Sequence, residues 1–471
     1  MSLSRRPAPG KAAPGRDSPA VGPQVIVRGM AIPSLIWATP FIGLLLTIAL
    51  APLLAPSLWE GHYGKLTAFW MLALLLPLAA FDGPKATATA LLSTTLFEYL
   101  PFALLLGSLY VIAGGLRITG TPRGAPAVNT AMLAIGTGFA SLIGTPGASM
   151  LMLRPLIRAN RHRQHSAHVF VFLILLVANA GGALTPVGNP PLFLGFLAGV
   201  PFFWPLTHLW APTLIATTGM LASFYALDSY IFHRRGRTDP SLLPEIEKLG
   251  VEGGVNIALV ALVVVATLLR AFWHPQLALA IGGLRWDLAE IIADALFAAA
   301  ALLSLALTPR QTRRRNDFSW TPMIEVAILF AGIFVTLIPV TAMIAAGPAG
   351  PMAPVFARLM HGGAPQDRLF FWATGLLSAV LDNAPSYLVF LQFAGRSAAE
   401  TAVHAASTLA AISLGATLFG ALTYIGNAPN LLIKSVAESH GIRMPGFFAY
   451  IGWATLGLLP WLLLVQLIFF A

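Results

Sequence analysis

Cysteine is absent from this chain of 471 residues. The absence excludes disulfides, thiol redox chemistry and metal sites built on thiolates. Zinc held by histidine and carboxylates would need a spacing such as H-E-x-x-H, and no comparable spacing occurs. The chain therefore carries no sequence sign of a redox or metal-dependent catalyst.

Charge is also scarce, because only 10% of the residues are charged while 57% are hydrophobic. A soluble protein needs roughly a quarter of its residues charged to cover its surface. Long apolar runs instead fit helices of about 20 residues that cross a hydrocarbon core; examples are residues 41–54, 213–227 and 256–269. The composition predicts an all-α polytopic protein of a bacterial-type inner or plasma membrane, with the lipid bilayer as its partner.

The charges that are present favour one sign, with 28 Lys and Arg against 18 Asp and Glu. The basic residues cluster in short segments, at residues 154–163, 233–237 and 310–315 and in the N-terminal tail. Short basic loops are typical of the cytoplasmic side of membrane spans, so this excess does not indicate a nucleic-acid partner. The tail, residues 1–30, is rich in Pro and Gly and is predicted to be disordered.

Short polar segments divide the rest of the chain into ten predicted spans and two further apolar stretches. Those two stretches, residues 125–160 and 365–398, carry Gly, Pro and polar residues at their midpoints, which favours re-entrant hairpins with tips at residues 144–148 and 381–386. The predicted spans are residues 33–55, 64–82, 92–116, 168–199, 205–232, 252–272, 288–308, 322–345, 402–437 and 447–470.

Two segments of the chain resemble each other. "ALTPVGNPPLFL", from Ala183, and "ALTYIGNAPNLL", from Ala421, share seven of twelve residues at a separation of 238. The hairpin midpoints align at a separation of 237, which pairs Ser141 with Ser378 and Thr145 with Asp382. These agreements predict two repeats, residues 31–240 and 241–471.

Five spans in each predicted repeat would make the second copy enter the membrane from the opposite side, so the repeats should be inverted. The same count puts the basic N-terminal tail outside, against the positive-inside rule. The sequence leaves that conflict open.

Gly, Asn and Pro at mid-span predict helix breaks at residues 185–191 and 423–429. Lipid cannot satisfy the backbone groups that a break exposes, so irregular backbone at that depth must lie inside protein or line a polar cavity. Transporters use such breaks, because half-helix N-termini attract anions and freed carbonyl groups coordinate cations. The predicted substrate and ion site comprises Thr145, Ser149, Thr185, Gly188, Asn189, Asp382, Asn383, Ser386, Thr423, Gly426 and Asn427.

Acidic residues inside spans are costly and therefore point to function. Asp382, at the second hairpin tip, is the candidate carboxylate for exchange of H⁺ or Na⁺, with Asn383 as a further Na⁺ ligand. Glu98 and Glu325 are possible coupling residues, or interfacial carboxylates at helix starts. No other cofactor is expected.

Other polar residues are predicted to have structural roles. Asp228 should pair with Arg234 or Arg235 at the membrane edge. Lys434, two turns past the second break, could pair with a carboxylate. Solvated positions are expected for two further sets, His162, His165 and His168 in a loop, and Asp287, Glu290 and Asp294 at a helix end.

The hairpin and break motifs resemble the ion transporter superfamily, in particular its NhaD-type sodium/proton antiporters and its arsenite and citrate permeases. The resemblance covers the chain from about residue 30 and depends on "GTPGASMLMLRPLIRAN", "LTPVGNPPLFLGFLAGVPFFW", "LDNAPSYLVFL" and "YIGNAPNLLIKSVAESHGIRMPGFFAY". It implies a scaffold domain and a transport domain, a homodimer and elevator-type alternating access.

Two departures weaken the antiporter interpretation. Sodium/proton antiporters of the family tend to carry Asp-Asn where this chain has Thr145 and Pro146, and some close relatives have Asp in place of Asn189. Sodium/proton exchange is nevertheless the leading hypothesis, and cation-coupled transport of citrate, a dicarboxylate or an arsenite-like anion is the alternative. Without a Walker-type phosphate loop the transporter should be secondary. A membrane-embedded enzyme or a channel is a remote alternative, since no base lies beside Ser149 and only Asp382 lies near Ser386.

Overall fold

The computed structural model describes residues 34–120, 122–235, 250–395 and 397–471. The predicted disordered tail and the predicted boundary between the repeats near residue 240 lie outside these ranges. Helices make up 78% of the structure, and the strands of the described part form only three short antiparallel pairs. The predicted all-α polytopic class is therefore confirmed.

In the first half of the chain, a 3₁₀ turn at Leu35–Ala38 leads into nine α-helices. A π-turn, Thr95–Tyr99, joins the third helix to the fourth, and a 3₁₀ turn, Ala180–Gly182, lies between the seventh and the eighth. The helices are α1 (Thr39–Leu54), α2 (Pro56–Phe81), α3 (Pro84–Thr94), α4 (Leu100–Gly114), α5 (Pro126–Ile143), α6 (Thr145–Asn160), α7 (Ala167–Leu176), α8 (Pro190–Leu197) and α9 (Trp204–Arg235).

The second half adds eleven helices, with 3₁₀ turns at Gly347–Ala349 and Gly420–Leu422. They are α10 (Val255–Phe272), α11 (Leu288–Leu307), α12 (Arg310–Arg315), α13 (Thr321–Ala345), α14 (Ala353–Leu359), α15 (Asp367–Leu381), α16 (Asn383–Phe393), α17 (Ala398–His404), α18 (Ala406–Phe419), α19 (Ala428–Ser439) and α20 (Phe447–Phe469). The strand pairs are β1–β2 (Arg117–Thr119, Gly250–Glu252), β3–β4 (Ala278–Ile281, Leu284–Asp287) and β5–β6 (Met360–His361, Ala364–Pro365).

Eight described helices are long and apolar enough to cross a membrane, and a ninth span results if the bent pair α17 and α18 counts as one. Ten spans were expected. Three predicted spans are missing from these eight. Two of them, 168–199 and 402–437, are interrupted and leave only short helices on each side of the break. The third, 205–232, forms the long helix α9 but is not among the helices that are apolar enough. Conversely, α5 adds a span that was not predicted: it was expected to be one arm of a re-entrant hairpin, but it is long and apolar enough to cross a membrane by itself.

Both predicted hairpins are present as antiparallel helix pairs. In the first, Gly136 of α5 packs against Met152 of α6, and Asn129 donates to Asn160 at the open end (3.0 Å). In the second, the rings of Phe370 in α15 and Phe390 in α16 are in contact, with centroids 6.2 Å apart. Each pair thus folds back at its tip, while its re-entry into the membrane remains a prediction.

The helices pack in two groups. A flanking group comprises residues 35–114 and 255–345, and a central group comprises the two hairpins, the broken helices, α9 and α20. The groups meet where α4 packs on α6 and where α13 packs on α16. This division has the form expected of a scaffold and a transport domain, and the assignment of those roles remains a prediction.

Candidate functional site

The two hairpin tips have the same backbone conformation with different residues. Gly144 has φ 78° and ψ 149°, and Asp382 has φ 93° and ψ 150°. This region of backbone space is occupied almost only by glycine, so an aspartate there is strained. Among non-glycine residues of the described chain, only Asp317 shares a positive φ with Asp382.

The tip geometry corrects the alignment of the repeats. The predicted separation of 237 paired Thr145 with Asp382, whereas the matched conformations pair Gly144 with Asp382 and Thr145 with Asn383, at a separation of 238. That value equals the separation of the two breaks. The error arose because Ser141 and Ser378 look alike in sequence, although the backbone carbonyl that corresponds to that of Ser141 belongs to Ala379.

A threonine ties each break to its hairpin with the same two hydrogen bonds. The Thr185 hydroxyl donates to the carbonyl of Ser141 and accepts from the N–H of Gly188 (3.0 Å). The Thr423 hydroxyl donates to the carbonyl of Ala379 (2.5 Å) and accepts from the N–H of Gly426 (3.0 Å). Both predicted site threonines therefore hold the irregular backbone in place, which fully occupies their hydroxyl protons.

Buried asparagine side chains connect the two halves of the molecule. Asn383 at the second tip donates to Asn189 Oδ1 in the first break (3.0 Å), and Asn427 in the second break donates to Asn179 Oδ1 (3.0 Å). Asn179 in turn donates to Asn430 Oδ1 (2.9 Å). Asn189 also donates to the backbone carbonyl of Asn179 (3.4 Å), so both breaks and the second hairpin tip share one hydrogen-bonded network.

Sequence reasoning missed Asn179 and Asn430, although they are central to this network. The amide of Asn430 donates to the carbonyls of Gly420 (2.8 Å) and Thr423 (2.9 Å). Neither residue has an asparagine partner at the repeat separation, because Thr417 and Leu192 stand at those positions. A search limited to repeated polar residues could not find them, whereas a search for any asparagine within an apolar run would have done so.

Two buried side-chain oxygens at the tips have no hydrogen-bond partner among the described residues. They are Thr145 Oγ1 and Asn383 Oδ1, which occupy equivalent positions as the first residues of α6 and α16. A buried polar atom without a partner costs free energy and calls for an explanation such as an unbound ligand or ion. These two oxygens are therefore the strongest indication of where a solute binds.

Asp382 supplies the carboxylate of the site. It is half-buried, and its Oδ1 accepts from the N–H of Ala384 (3.2 Å). No group of three or more His, Asp or Glu side chains that could hold a metal ion occurs in the described ranges. The predicted Na⁺ ligands Asp382 and Asn383 would therefore need carbonyl or hydroxyl oxygens to complete coordination, a donor set that suits a hard cation.

Ser149 and Ser386, the remaining predicted site hydroxyls, point back into their own helices. Ser149 donates to the carbonyl of Thr145 (2.6 Å), and Ser386 donates to that of Asp382 (2.7 Å). Neither bond leads to a base, so the serines have no partner of the kind that a nucleophile requires. The hydroxyls satisfy carbonyl groups in the first turn after each tip.

Four helices begin at this site, and every one has a proline among its first three residues. The prolines are Pro146 in α6, Pro190 and Pro191 in α8, Pro385 in α16 and Pro429 in α19. Proline starts a helix cleanly and removes an N–H that would otherwise lack a partner. The four positive dipole ends therefore remain, but they present few backbone donors, and side chains must supply much of the recognition.

The two possible coupling residues differ in position. Glu325 near the start of α13 accepts from the indole N–H of Trp59 (2.9 Å), a bond that joins α13 to α2. Glu98 is half-buried near the middle of the 31-residue span Pro84–Gly114, inside the π-turn before Pro101, and is not at a helix start. Single π-turns within α-helices are frequent at functional sites.

The prediction for Asp228 was wrong. Asp228 is buried and pairs with Arg163, and it also contacts His168 Nε2 (2.8 Å) and accepts from Asn129 (2.9 Å). His168 is therefore a buried partner of a carboxylate and not a solvated loop residue. The cause is the fold, since the loop after α6 turns inward and brings both residues onto α9.

The expectation for the acidic residues near the start of α11 was wrong for Asp294. Asp294 is buried and accepts from Arg270 (3.2 Å), which also bonds Glu290 (3.0 Å). Asp287 is exposed as expected and pairs with Arg285. Lys434 pairs with the carboxylate of Glu438 (2.7 Å), as predicted.

A polytopic helical protein in which two helix breaks and a hairpin tip share a buried polar network has the architecture of a membrane transporter. A family model described as "Putative citrate transport" matches residues 30–470, and the chain belongs to that family. No curated protein matches the chain. The family supports an integral, multi-pass membrane transporter of a small anion.

Proposed function

We propose that the chain is a secondary transporter that carries citrate or a related carboxylate, coupled to Na⁺ or H⁺. The observation that carries the proposal is the pair of unpartnered oxygens, Thr145 Oγ1 and Asn383 Oδ1, at the meeting point of four helix N-termini. The positive helix ends suit an anion, and Asp382 suits a coupling cation. The citrate transport family supports the same substrate class.

In this proposal Asp382 and Asn383 contribute to a cation site, and the cation offsets the charge of the bound anion. Asn189 and Asn427 position the two breaks through the amide network, while Thr185, Gly188, Thr423 and Gly426 hold the broken backbone. The transported ions are the only cofactors required. The central group would move as an elevator against the flanking group, in a homodimer.

Purified protein in liposomes tests the substrate. Labelled citrate should accumulate under an inward Na⁺ or H⁺ gradient and should not accumulate when the gradient is collapsed with ionophores. A dicarboxylate such as succinate should compete if the site recognises carboxylate groups in general. Failure of citrate and succinate to enter under either gradient would refute the proposal.

Sodium/proton exchange is the second candidate, and the carboxylate of Asp382 beside Asn383 favours it. In the same liposomes a pH-sensitive dye should then respond to added Na⁺ or Li⁺ without any organic anion. No response between pH 6.5 and 9 would exclude exchange. A response without citrate uptake would favour exchange over the carboxylate transporter.

A further inference from the structure

Arg154 is a buried cation on the second arm of the first hairpin, and its charge is not explained by the site described above. It lies nine residues after the tip residue Thr145, a distance of about 14 Å along the helix. Its Nη1 donates to the carboxylate of Asp317 (2.7 Å) and to the carbonyl of Arg315 (3.3 Å). The other guanidinium nitrogens of Arg154 have no hydrogen-bond partner within the described ranges.

The two partners of this ion pair belong to different helix groups. Arg154 is in the central group, while Asp317 follows α12 on the flanking group. Neighbouring Asn316 donates to the carbonyls of Gly114 (3.0 Å) and Leu116 (2.6 Å), which fastens this loop to the end of α4. The ion pair therefore joins two bodies that must move against each other in an elevator.

The pair is asymmetric in its exposure to solvent. The Arg154 side chain is 10% exposed, whereas that of Asp317 is 67% exposed. Asp317 also has a positive φ of 41°, which is uncommon for a residue other than glycine. An exposed, strained carboxylate on a buried guanidinium is a contact that another carboxylate can replace.

A narrow cleft leads from this pair to the first hairpin tip. It is lined by Tyr110, Pro146, Gly147, Met150, Arg154 and Phe318. Of the described residues that line the cleft, Arg154 alone carries a positive charge. Its basic end, beside Arg310–Arg315, is the face that the positive-inside rule places in the cytoplasm.

We propose that Arg154 is a carboxylate subsite between the cytoplasm and the hairpin tip, and that Asp317 occupies it until an organic anion displaces it. The proposal rests on the proposed carboxylate transport. Guanidinium groups bind carboxylates with two parallel hydrogen bonds, and the unused nitrogens of Arg154 allow this geometry. Displacement of Asp317 would remove one charged tie between the first hairpin and the flanking group, beside the packing of α4 on α6, so that arrival of the substrate is linked to movement.

Citrate uptake into inside-out vesicles tests the subsite, because their cytoplasmic face is outside. Asp317→Asn removes the internal competitor and should lower the apparent KM for citrate roughly twofold to fivefold, the scale of a partly exposed ion pair. Arg154→Gln should raise that KM about tenfold or more. Glu252→Gln is the matched control, since it removes an acid on the same face that pairs with Arg117 and Arg315 and not with Arg154.

An unchanged or raised KM in Asp317→Asn, with citrate transport intact in the unaltered protein, would overturn the subsite and leave the proposed function standing. Absence of citrate transport in the unaltered protein would instead count against the proposed function. The accessibility measurement below then decides the subsite independently of transport.

The chain contains no cysteine, so a single Met150→Cys reports on the cleft directly. A membrane-impermeant thiol reagent should label it faster when Asp317→Asn is added, and citrate should slow that labelling unless Arg154→Gln is also present. Gln311→Cys, on the exposed side of α12, controls for reagent access. Faster labelling without protection by citrate would mean that the ion pair closes the cleft but that Arg154 does not bind citrate. Unchanged labelling would mean that the ion pair does not close the cleft. Either result would overturn the subsite.

Discussion

The two helical hairpins have matching backbones and opposite placements of charge. The first has a glycine at its tip and a buried ionic cluster at its open end, where Asp228 pairs with Arg163 beside Asn129 and Asn160. The second has its carboxylate, Asp382, at the tip, and at its open end Asp367 accepts from Thr408 (2.6 Å) and forms no ion pair with the residues that the structure describes. The difference indicates that charge fixes the first hairpin in place and serves the solute site in the second.

The largest expected effect concerns the open end of the first hairpin. Asp228→Asn leaves the buried Arg163 without its counter-charge, a change that typically costs about 3–5 kcal/mol of stability. The thermal unfolding midpoint in detergent should fall accordingly. Asp287→Asn is the control, because its pair with Arg285 is exposed and should contribute at most about 1 kcal/mol. Equal midpoints for the two variants would contradict a clamping role.

Among the substitutions considered, removal of the charge at the tip of the second hairpin should reduce transport most. Asp382→Asn keeps the size of the side chain and loses the proposed cation ligand, so coupled uptake in liposomes should fall roughly 100-fold or more, beyond the loss seen for outer-shell residues of metal sites. Glu438→Gln, which breaks an exposed pair with Lys434, controls for charge alone. Undiminished activity of Asp382→Asn would refute the assignment of the site.

Asp382→Gly makes the second tip resemble the first and should separate function from stability. Backbone strain of this kind costs on the order of 1–3 kcal/mol, and glycine relieves it. Loss of the Asp382 cap should offset only a few tenths of a kcal/mol. The unfolding midpoint should therefore rise above those of the unaltered protein and of Asp382→Asn, while transport is lost. A midpoint below that of Asp382→Asn would argue against strain at this residue.

The smallest effect on stability is expected at Thr145, whose hydroxyl has no partner. Thr145→Val should change the free energy of unfolding by less than about 0.5 kcal/mol, because no internal hydrogen bond is lost. It should nevertheless reduce transport severalfold, because the hydroxyl is a proposed contact of the solute. Thr185→Val provides the contrast. It removes the donor to the carbonyl of Ser141, while the N–H of Gly188 keeps the backbone carbonyl of Thr185 (3.1 Å), and it should cost about 1–3 kcal/mol. Equal losses of stability in the two variants would show that the Thr145 hydroxyl has an internal role.

Local sequence patterns were sufficient for the helices, the hairpin tips and the two breaks. Apolar runs, Gly at residue 144 and neighbouring Asn and Pro residues each act within a few residues. Most helix ends lie close to those predicted, although α2 and the span Pro84–Gly114 begin eight residues earlier than predicted. The number of spans was less accurate, because a break changes a span into two short helices and no local pattern decides whether the pieces still cross the membrane.

The site was only partly predictable from sequence, since its contacts join distant segments. Asn179 and Asn427 are bonded across 248 positions, and no periodicity predicts that pairing. Asp228 was matched to nearby arginines, whereas the fold brings it to Arg163 from 65 positions away. The one-residue error in the hairpin alignment became apparent only from the positive φ at Gly144 and Asp382.

The network that joins the two halves consists of amides, and amides do not titrate at physiological pH. The shape of the broken helices should therefore stay constant while the proton concentration changes across the membrane. Any pH dependence of transport would then originate in ionisable groups outside the network, such as Asp382 at the second tip and Glu98 in the π-turn. Such a protein can sense a proton gradient at one or two groups without loosening the framework that holds its substrate.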